Sequence, residues 1–180
     1  REANGKKRFF FYARPNNPRN LFQIGLGVID HAVNEGILDL EQWEIFLVGK
    51  DIPHVKFGAG YTPRRCEGLG WEAYADLAGT IDLGLSLMYT PHPSYPPFDL
   101  AASGAVVVTN SFANKQDLSG YSPNIICAEL ETRALLDALR SGVAIANDRD
   151  TRNRNFAANG LGTDWTLAFA DVLRALTAGR

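Results

Sequence analysis

The sequence predicts an α/β domain built on a mostly parallel sheet. Short apolar runs of strand length, at residues 9–13, 43–48 and 105–108, alternate with segments whose apolar residues recur at helical spacing. Strands and helices that alternate in this order build parallel sheets, because each helix returns the chain to the edge where the next strand begins. We therefore expect a single Rossmann-like domain over residues 1–180, with helices flanking the sheet.

Size and composition agree with one globular domain. The chain has 180 residues, of which 46% are hydrophobic and 21% charged, and this is enough to form a core of its own. Its net charge of −2 gives no reason to expect nucleic acid or an anionic membrane surface as a partner. No apolar run reaches the length of a membrane span. Cys66 and Cys127 form no metal spacing, and free thiols fit a reducing cytoplasm.

The first strand, at residues 9–13, is aromatic and unbroken, and a helix start follows it. Asn17 is a favourable N-cap and Pro18 a favourable first helical residue. Apolar residues then recur at helical spacing up to Gly36, which is a natural helix end. The sequence thus predicts a helix that begins at Pro18.

Two arginines lie beside this predicted helix start. Arg14 follows the strand, and Arg19 falls in the expected first turn, where the helix dipole disfavours a cation by up to about 1 kcal/mol. Two cations at a helix N-terminus are explained if an anion binds between them. The alternative is that both side chains simply point into water.

The central unit, at residues 82–110, is predicted to be a strand, a loop, a short helix and a strand. Four prolines between residues 91 and 97 exclude regular structure until a helix can begin, and Gly104 ends that helix. A βαβ unit places its ligand at the carboxyl end of the first strand, against the N-terminus of the next helix. Residues 91–99 are therefore the predicted ligand loop.

Further elements are predicted on both sides of the central unit. Before it we expect a strand at residues 43–48, a loop-rich stretch with a short strand near residues 55–57, and a helix over Trp71–Ala78. After it we expect a strand at residues 124–128 and a helix at residues 129–140, with Gly142 beyond its end.

The C-terminal part holds two more predicted helices. Residues 147–158 are polar and contain three arginines, which is typical of a solvent-exposed helix, with a docking surface for another domain as the alternative. The last helix, near residues 163–178, is predicted to be capped by Thr163. Its apolar stripe consists of Trp165, Phe169, Val172, Leu173 and Leu176.

Two short motifs that suggest other functions fail on their spacing. Gly25-Leu26-Gly27 would need a third glycine where Asp30 stands, and it lies within a predicted helix rather than between a strand and a helix. Ser86 is placed like the serine of a nucleophile elbow, but it lies in a strand and Met88 replaces the last glycine. The sequence therefore favours neither a dinucleotide fingerprint nor a serine hydrolase.

The central unit resembles the donor-site signature of nucleotide-sugar glycosyltransferases of the GT-B architecture. The likeness lies in the proline-rich loop and in Phe98-Asp99, Ala101-Ala102-x-Gly104 and Val106-Val107-Val108-Thr109. Through residues 86–88 and 91–97 it is closer to WsaF-like bacterial rhamnosyltransferases of surface-glycan assembly. The resemblance covers residues 9–165 and implies the C-terminal half of a GT-B fold.

The resemblance implies roles for three charged residues. It places the diphosphate-binding basic residues of the family in the loop that holds Arg14 and Arg19. It matches Asp99 to an acidic residue that binds the ribose, since an ionised carboxylate accepts hydrogen bonds from sugar hydroxyls. The alternative for Asp99 is an ordinary stabiliser of a helix N-terminus.

The ligand loop supplies the remaining candidates. Ser94 and Tyr95 can offer backbone N–H groups to phosphate or sugar, whereas the prolines that follow cannot. The family has a second acidic residue eight positions before Asp99, and here that position is Pro91. His92, next to it, is the candidate catalytic residue, as a contact to sugar or phosphate or merely as part of the loop lining.

The resemblance also bears on the base and on metals. Tyr61 and Arg64 or Arg65 lie in the region that is near the nucleotide base in the family, with ordinary surface positions as the alternative. The family suggests a metal-independent reaction, and the three histidines show no metal-ligand spacing. We therefore expect no metal and no cofactor.

The function implied by the resemblance is donor binding in a hexosyltransferase. The donor would be a dTDP- or UDP-sugar, with rhamnose as the sugar indicated, and a glycan acceptor would bind an N-terminal domain absent from this chain. The 180 residues alone are then expected to be inactive. The expected location is the cytoplasm, peripheral to the inner membrane through the glycan-assembly machinery. The alternatives are a nucleotide-sugar epimerase half-domain and a non-catalytic α/β interaction module.

Overall fold

A computed structural model describes residues 5–162 and 164–178 of the chain. Six strands form one sheet in the order β3-β2-β1-β4-β5-β6, and every neighbouring pair is parallel. The strands are β1 Lys7–Ala13, β2 Trp43–Gly49, β3 Arg64–Glu67, β4 Leu83–Leu85, β5 Val106–Asn110 and β6 Ile125–Ala128. This is the strand order of a doubly wound Rossmann fold, so the predicted fold class is confirmed.

Helices cover both faces of the sheet. They are α1 Phe22–Asn34, α2 Trp71–Ala78, α3 Pro96–Ala102, α4 Thr132–Asn147, α5 Arg149–Ala157, α6 Trp165–Ala168 and α7 Ala170–Ala178. Side chains of α1 and α4 join the larger apolar core on one face, and those of α2 and α3 join a smaller core on the other. Strand β1 shows the alternation, because Phe9 and Phe11 enter the larger core while Phe10 enters the smaller one.

The helix after β1 starts later than the sequence predicts. Pro18–Asn20 forms a single 3-10 turn, Leu21 has a left-handed backbone with φ of 51°, and α1 begins only at Phe22. The side chain of Asn17 makes no capping hydrogen bond. A non-glycine residue in this conformation cannot continue a right-handed helix. The prediction that Arg19 lies in the first turn of this α-helix was therefore wrong, and Arg19 belongs to the 3-10 turn.

The edge of the sheet also differs from the prediction. The strand expected near residues 55–57 is only an isolated bridge between Phe57 and Tyr61. The third strand is instead β3, whose sequence is Arg-Arg-Cys-Glu and whose residues are mostly exposed. A short charged edge strand carries no apolar signal, since charges protect such edges from pairing with other chains.

Helix α4 extends beyond its predicted end at residue 140, as far as Asn147. Gly142 does not stop the helix but lets it approach the sheet, because a Cβ at this position would lie 2.8 Å from Leu83 Cδ1. Directly after α4, the arginine-rich segment forms α5, and it is not wholly solvated. Arg152 donates to the buried carboxylate of Asp82 at 2.7 Å and so ties α5 to the start of β4.

The terminal helix predicted near residues 163–178 is divided into α6 and α7, and Thr163, its expected cap, lies outside the described residues. The predicted apolar residues Phe169, Val172, Leu173 and Leu176 are all about half exposed or more. Within the described part of the chain, no helix is both long and apolar enough to cross a membrane.

We predict opposite effects for two glycines of α1. A Cβ on Gly25 would overlap the buried ring of Phe11, which stacks on Phe22, whereas a Cβ on Gly27 would meet no atom within 4 Å. Gly25→Ala should therefore destabilise the fold by about 1–3 kcal/mol through overpacking. Gly27→Ala, the matched control, should stabilise it by roughly 0.5–1 kcal/mol through helix propensity. Urea denaturation of both variants measures this, and equal effects would contradict the packing of α1 on Phe11.

Candidate functional site

The candidate site lies where the strand order reverses, at the carboxyl ends of β1 and β4. These two strands are neighbours, but their following segments lead to opposite faces of the sheet, since α1 lies on one and α3 on the other. Diverging loops leave a crevice at this point, and open α/β sheets bind their ligands there. The crevice is bordered by the loop at residues 14–21 and the loop at residues 86–95.

The loop after β1 presents both predicted arginines to solvent. Arg14 and Arg19 are exposed, and within the described residues neither guanidinium forms an ion pair. The only described partner of the Arg14 guanidinium is the Tyr12 hydroxyl, at 3.4 Å. The main chain of this loop is tied to the other one, because the Tyr89 amide donates to the Arg19 carbonyl at 2.7 Å. The loop after β1 thus carries two exposed cations.

The ligand loop after β4 is folded on itself. The Ser94 amide donates to Nδ1 of His92 at 3.0 Å, and Ser94 has a left-handed backbone with φ of 71°. A neutral His92 therefore carries its proton on Nε2. The Tyr95 amide donates to no described residue and is free for a ligand, whereas the Ser94 amide would first have to leave His92. Both side chains, His92 and Tyr95, are exposed and pack edge to face.

Asp99 lies in the first turn of α3 and is half buried. Its Oδ2 accepts a hydrogen bond from the Tyr74 hydroxyl of α2 at 3.2 Å. Burial raises the pKa of Asp99, and the bond from Tyr74 opposes that rise. Burial and the neighbouring carboxylate raise the pKa of Tyr74 as well, so the phenol stays a donor. No described contact joins Asp99 to Arg14 or Arg19.

An open cavity of about 390 Å³ lies beside the ligand loop, between it and the segment after β5. Pro91, His92 and Pro93 line one side. Lys115 and Tyr121 line the other, and the ring of Tyr121 packs edge to face against Phe98 at 5.3 Å. Aromatic rings beside charged and polar groups suit a ligand that is itself partly polar.

The residues suggested for base contacts are engaged at the far edge of the sheet. The Tyr61 hydroxyl accepts a hydrogen bond from the Ile45 amide. Arg64 pairs with Glu44, and Arg65 donates to the Ile52 carbonyl. These contacts account for all three side chains as parts of the sheet edge.

The described residues offer few groups for metal binding or thiol chemistry. Among the described residues, no three His, Cys, Asp or Glu side chains come together as a metal site. Cys66 and Cys127 are free, and burial raises the pKa of each thiol, so neither is poised as a thiolate.

Three residues near the site escaped the sequence analysis. Tyr74 is one more aromatic residue of an amphipathic helix, and only the fold brings it to Asp99. Asn20 is buried in the loop after β1, and neither polar atom of its side chain has a described partner. Asn110 could have been found, because a polar residue at the carboxyl end of a buried parallel strand points to a site.

The family of the chain follows from its sequence. Residues 7–140 match the family described as WsaF, C-terminal domain, which is well over half of the chain. The chain belongs to this family. The O-antigen biosynthesis protein RfbC of Myxococcus xanthus is 30% identical over 172 residues. That alignment covers 96% of this chain but 13% of RfbC, so this WsaF C-terminal domain corresponds to a small part of that relative.

Solved structures agree on the fold. A UDP-forming trehalose-phosphate synthase from Burkholderia vietnamiensis has a TM-score of 0.72 at 13% identity, over 97% of this chain and 45% of that one. Sucrose-phosphate synthase from Thermosynechococcus elongatus has a TM-score of 0.65 at 16% identity, over 99% of this chain and 47% of that one. WaaG, a glycosyltransferase involved in lipopolysaccharide biosynthesis, has a TM-score of 0.61 at 14% identity, over 91% of this chain and 45% of that one. The chain has the fold of a C-terminal GT-B domain.

We predict that Tyr74→Phe raises the pKa of Asp99 further, because it removes the hydrogen bond that favours the carboxylate. A carboxyl whose pKa is higher in the folded than in the unfolded state stabilises the fold at low pH, and this contribution is lost as the pH rises through the folded value. That window should reach to higher pH in the variant. Carbon NMR titration of Asp99 and urea denaturation across acidic pH measure both effects.

Tyr12→Phe is the matched control, because it removes a phenol that makes no described hydrogen bond to Asp99. An unchanged Asp99 titration in Tyr74→Phe would mean that the Tyr74–Asp99 bond does not form in solution.

Proposed function

We propose that this chain is the donor-binding domain of a glycosyltransferase of surface-glycan assembly, in which the crevice binds a nucleoside diphosphate sugar. The observation that carries the proposal is the pair of exposed cations in the loop after β1, Arg14 and Arg19, which have no ion-pair partner among the described residues. Membership of the WsaF C-terminal domain family supports it, as does the likeness to a protein named for O-antigen biosynthesis.

The diphosphate would lie between the two guanidinium groups and the free amide of Tyr95. Guanidinium groups form charge-assisted, often bidentate hydrogen bonds with phosphate oxygens. The same cations would offset the charge that develops on the departing nucleoside diphosphate, which lowers the barrier to transfer without a metal. We propose dTDP or UDP as the nucleotide, and rhamnose as the sugar.

Asp99 would bind the ribose. Its Oδ1 has no described partner, and Oδ2 is already oriented by Tyr74, so one oxygen is available to accept from a sugar hydroxyl. Burial raises the pKa of the Asp99 carboxyl, because partly buried surroundings disfavour its charged form. Carboxyl groups with a shifted pKa are common in binding sites. His92 would contact the sugar or a phosphate through Nε2–H, from the exposed side of the loop.

The acceptor glycan is proposed to bind outside these 180 residues. The chain spans 13% of RfbC and less than half of each similar structure described above. In GT-B enzymes the catalytic cleft lies between two domains, so we propose that the chain alone binds the donor and transfers nothing. The reaction would take place on the cytoplasmic side of the membrane that carries the growing glycan.

Our first binding prediction is that the chain binds UDP or dTDP with or without a chelator. Arg14→Ala and Arg19→Ala should each weaken binding about tenfold or more, since a hydrogen bond to a charged group contributes about 1.5–3 kcal/mol. Arg149→Ala removes an equally exposed charge on α5 and should change nothing. Calorimetric titration measures all four proteins. No heat with either nucleotide would refute donor binding, and unchanged affinity in both arginine variants would move the phosphate site elsewhere.

A second binding prediction separates ribose from phosphate. Asp99→Ala should weaken UDP binding about tenfold while pyrophosphate binding stays nearly unchanged, because pyrophosphate has no sugar hydroxyl. The loss for dTDP should be no larger than that for UDP, since deoxyribose offers one hydroxyl fewer. Competition titrations with the three ligands give the comparison. Equal losses for all three would show that Asp99 acts only as a stabiliser of α3.

A further inference from the structure

The segment that leads from β4 into the ligand loop is held by two polar side chains from β5 and the turn after it. The Met88 amide donates to Asn110 Oδ1 at 2.7 Å. The Met88 carbonyl accepts from Asn110 Nδ2 at 3.1 Å and from Lys115 Nζ at 3.0 Å. Both side chains are buried, with Lys115 only 3% exposed. Asn110 thus acts as a strand partner that extends the pairing of β4 with β5 past Leu85.

The turn that carries Lys115 also contacts Tyr89, the residue after Met88. Phe112 and Lys115 exchange both main-chain hydrogen bonds at 2.8 Å, so the turn is closed. The ring of Phe112 packs edge to face against Tyr89, with centroids 4.5 Å apart. The Tyr89 amide in turn donates to the Arg19 carbonyl at 2.7 Å. One continuous set of contacts therefore runs from Lys115 through Met88 and Tyr89 to Arg19.

The bond from Lys115 to the Met88 carbonyl requires the burial of a charged ammonium group, which is energetically unfavourable. Within the described residues its only hydrogen-bond partner is Met88, and no carboxylate pairs with it. Burial lowers the pKa of the Lys115 ammonium to about 8, so it is still mostly charged at neutral pH. The Met88 carbonyl already has a donor in Asn110 and would not be left unsatisfied without the lysine. A buried charge of this kind can often be replaced by an apolar side chain without loss of stability.

We propose that Lys115 is a positioning residue for the donor site, which it serves by fixing Met88 and Tyr89 so that the Tyr89–Arg19 bond keeps Arg19 at the crevice. This inference rests on the proposed function, because it assigns the lysine to the binding of the nucleoside diphosphate. Lys115 itself needs no contact with the ligand. Its effect passes through the main chain of the two loops that border the crevice.

Lys115→Met is the variant that tests the proposal, since it keeps an unbranched side chain of nearly the same length and removes the donor and the charge. Lys56→Met, an exposed lysine in the loop after β2, is the matched control. We expect Lys115→Met to melt at or above the wild-type temperature, to exchange the Tyr89 amide proton faster, and to bind UDP about fivefold more weakly. The control should show none of these changes. Unchanged Tyr89 exchange or unchanged UDP affinity in Lys115→Met would overturn the inference.

A double-mutant cycle with Arg19→Ala decides whether the lysine acts through Arg19. If it does, the double variant binds UDP no more weakly than Arg19→Ala alone. If the two losses multiply, or if Lys115→Met only lowers the melting temperature, the lysine is not a positioning residue for Arg19. All affinities are measured well below the lowest melting temperature, so that a less stable variant is still folded when it is titrated.

The same measurements separate this inference from the proposed function. Absence of UDP and dTDP binding by the wild-type chain would refute donor binding, and the role of Lys115 would fall with it even if Tyr89 exchange responds. Normal wild-type binding that Lys115→Met leaves intact would refute the positioning role alone.

Discussion

The candidate site depends on the parallel pairing of β1 with β4. This pairing aligns Phe9 with Leu83 and Phe11 with Leu85, and it puts the carboxyl ends of both strands at one edge of the sheet. Because α1 and α3 then lie on opposite faces, the loops before them separate and open the crevice. The loop that carries Arg14 and Arg19 and the proline-rich loop that leads to Asp99 therefore border the same crevice, although they are far apart in the sequence.

Most of the fold could be predicted because its signals are local. The buried strands are unbroken apolar runs, and the sequence predicts Trp71–Ala78 with its observed bounds. The failures share a physical cause, since each depends on a feature of the folded chain that the local pattern does not record. Strand β3 is charged because it is an exposed edge. The sequence predicts that Gly142 lies beyond the end of the helix, yet α4 continues through it and packs against Leu83 at this position. The left-handed backbone of Leu21 has no compositional signal.

The loops that border the candidate site could be predicted from the sequence, but the hydrogen bonds within them could not. Strand ends and prolines indicated the loops, and the resemblance named the residues in them. The sequence could not show that Ser94 already donates to His92 or that Tyr74 orients Asp99, because these partners meet only in the folded chain. Lys115 reads as a surface lysine in a polar stretch. Its burial follows from the closed turn at residues 112–115, which turns the side chain inward.

The ion pair between Arg152 and Asp82 makes α5 part of the folded domain. The match to the WsaF C-terminal domain family stops at residue 140, but α4 continues to Asn147 and Arg152 reaches back to the start of β4. A chain cut at residue 140 would lose the turns that place Gly142 and Ala146 against the sheet. It would also lose Arg152, a cation that pairs with the buried carboxylate of Asp82. The family match therefore stops before the last elements that pack against the sheet, and a truncated form of this chain should keep α5 together with the core.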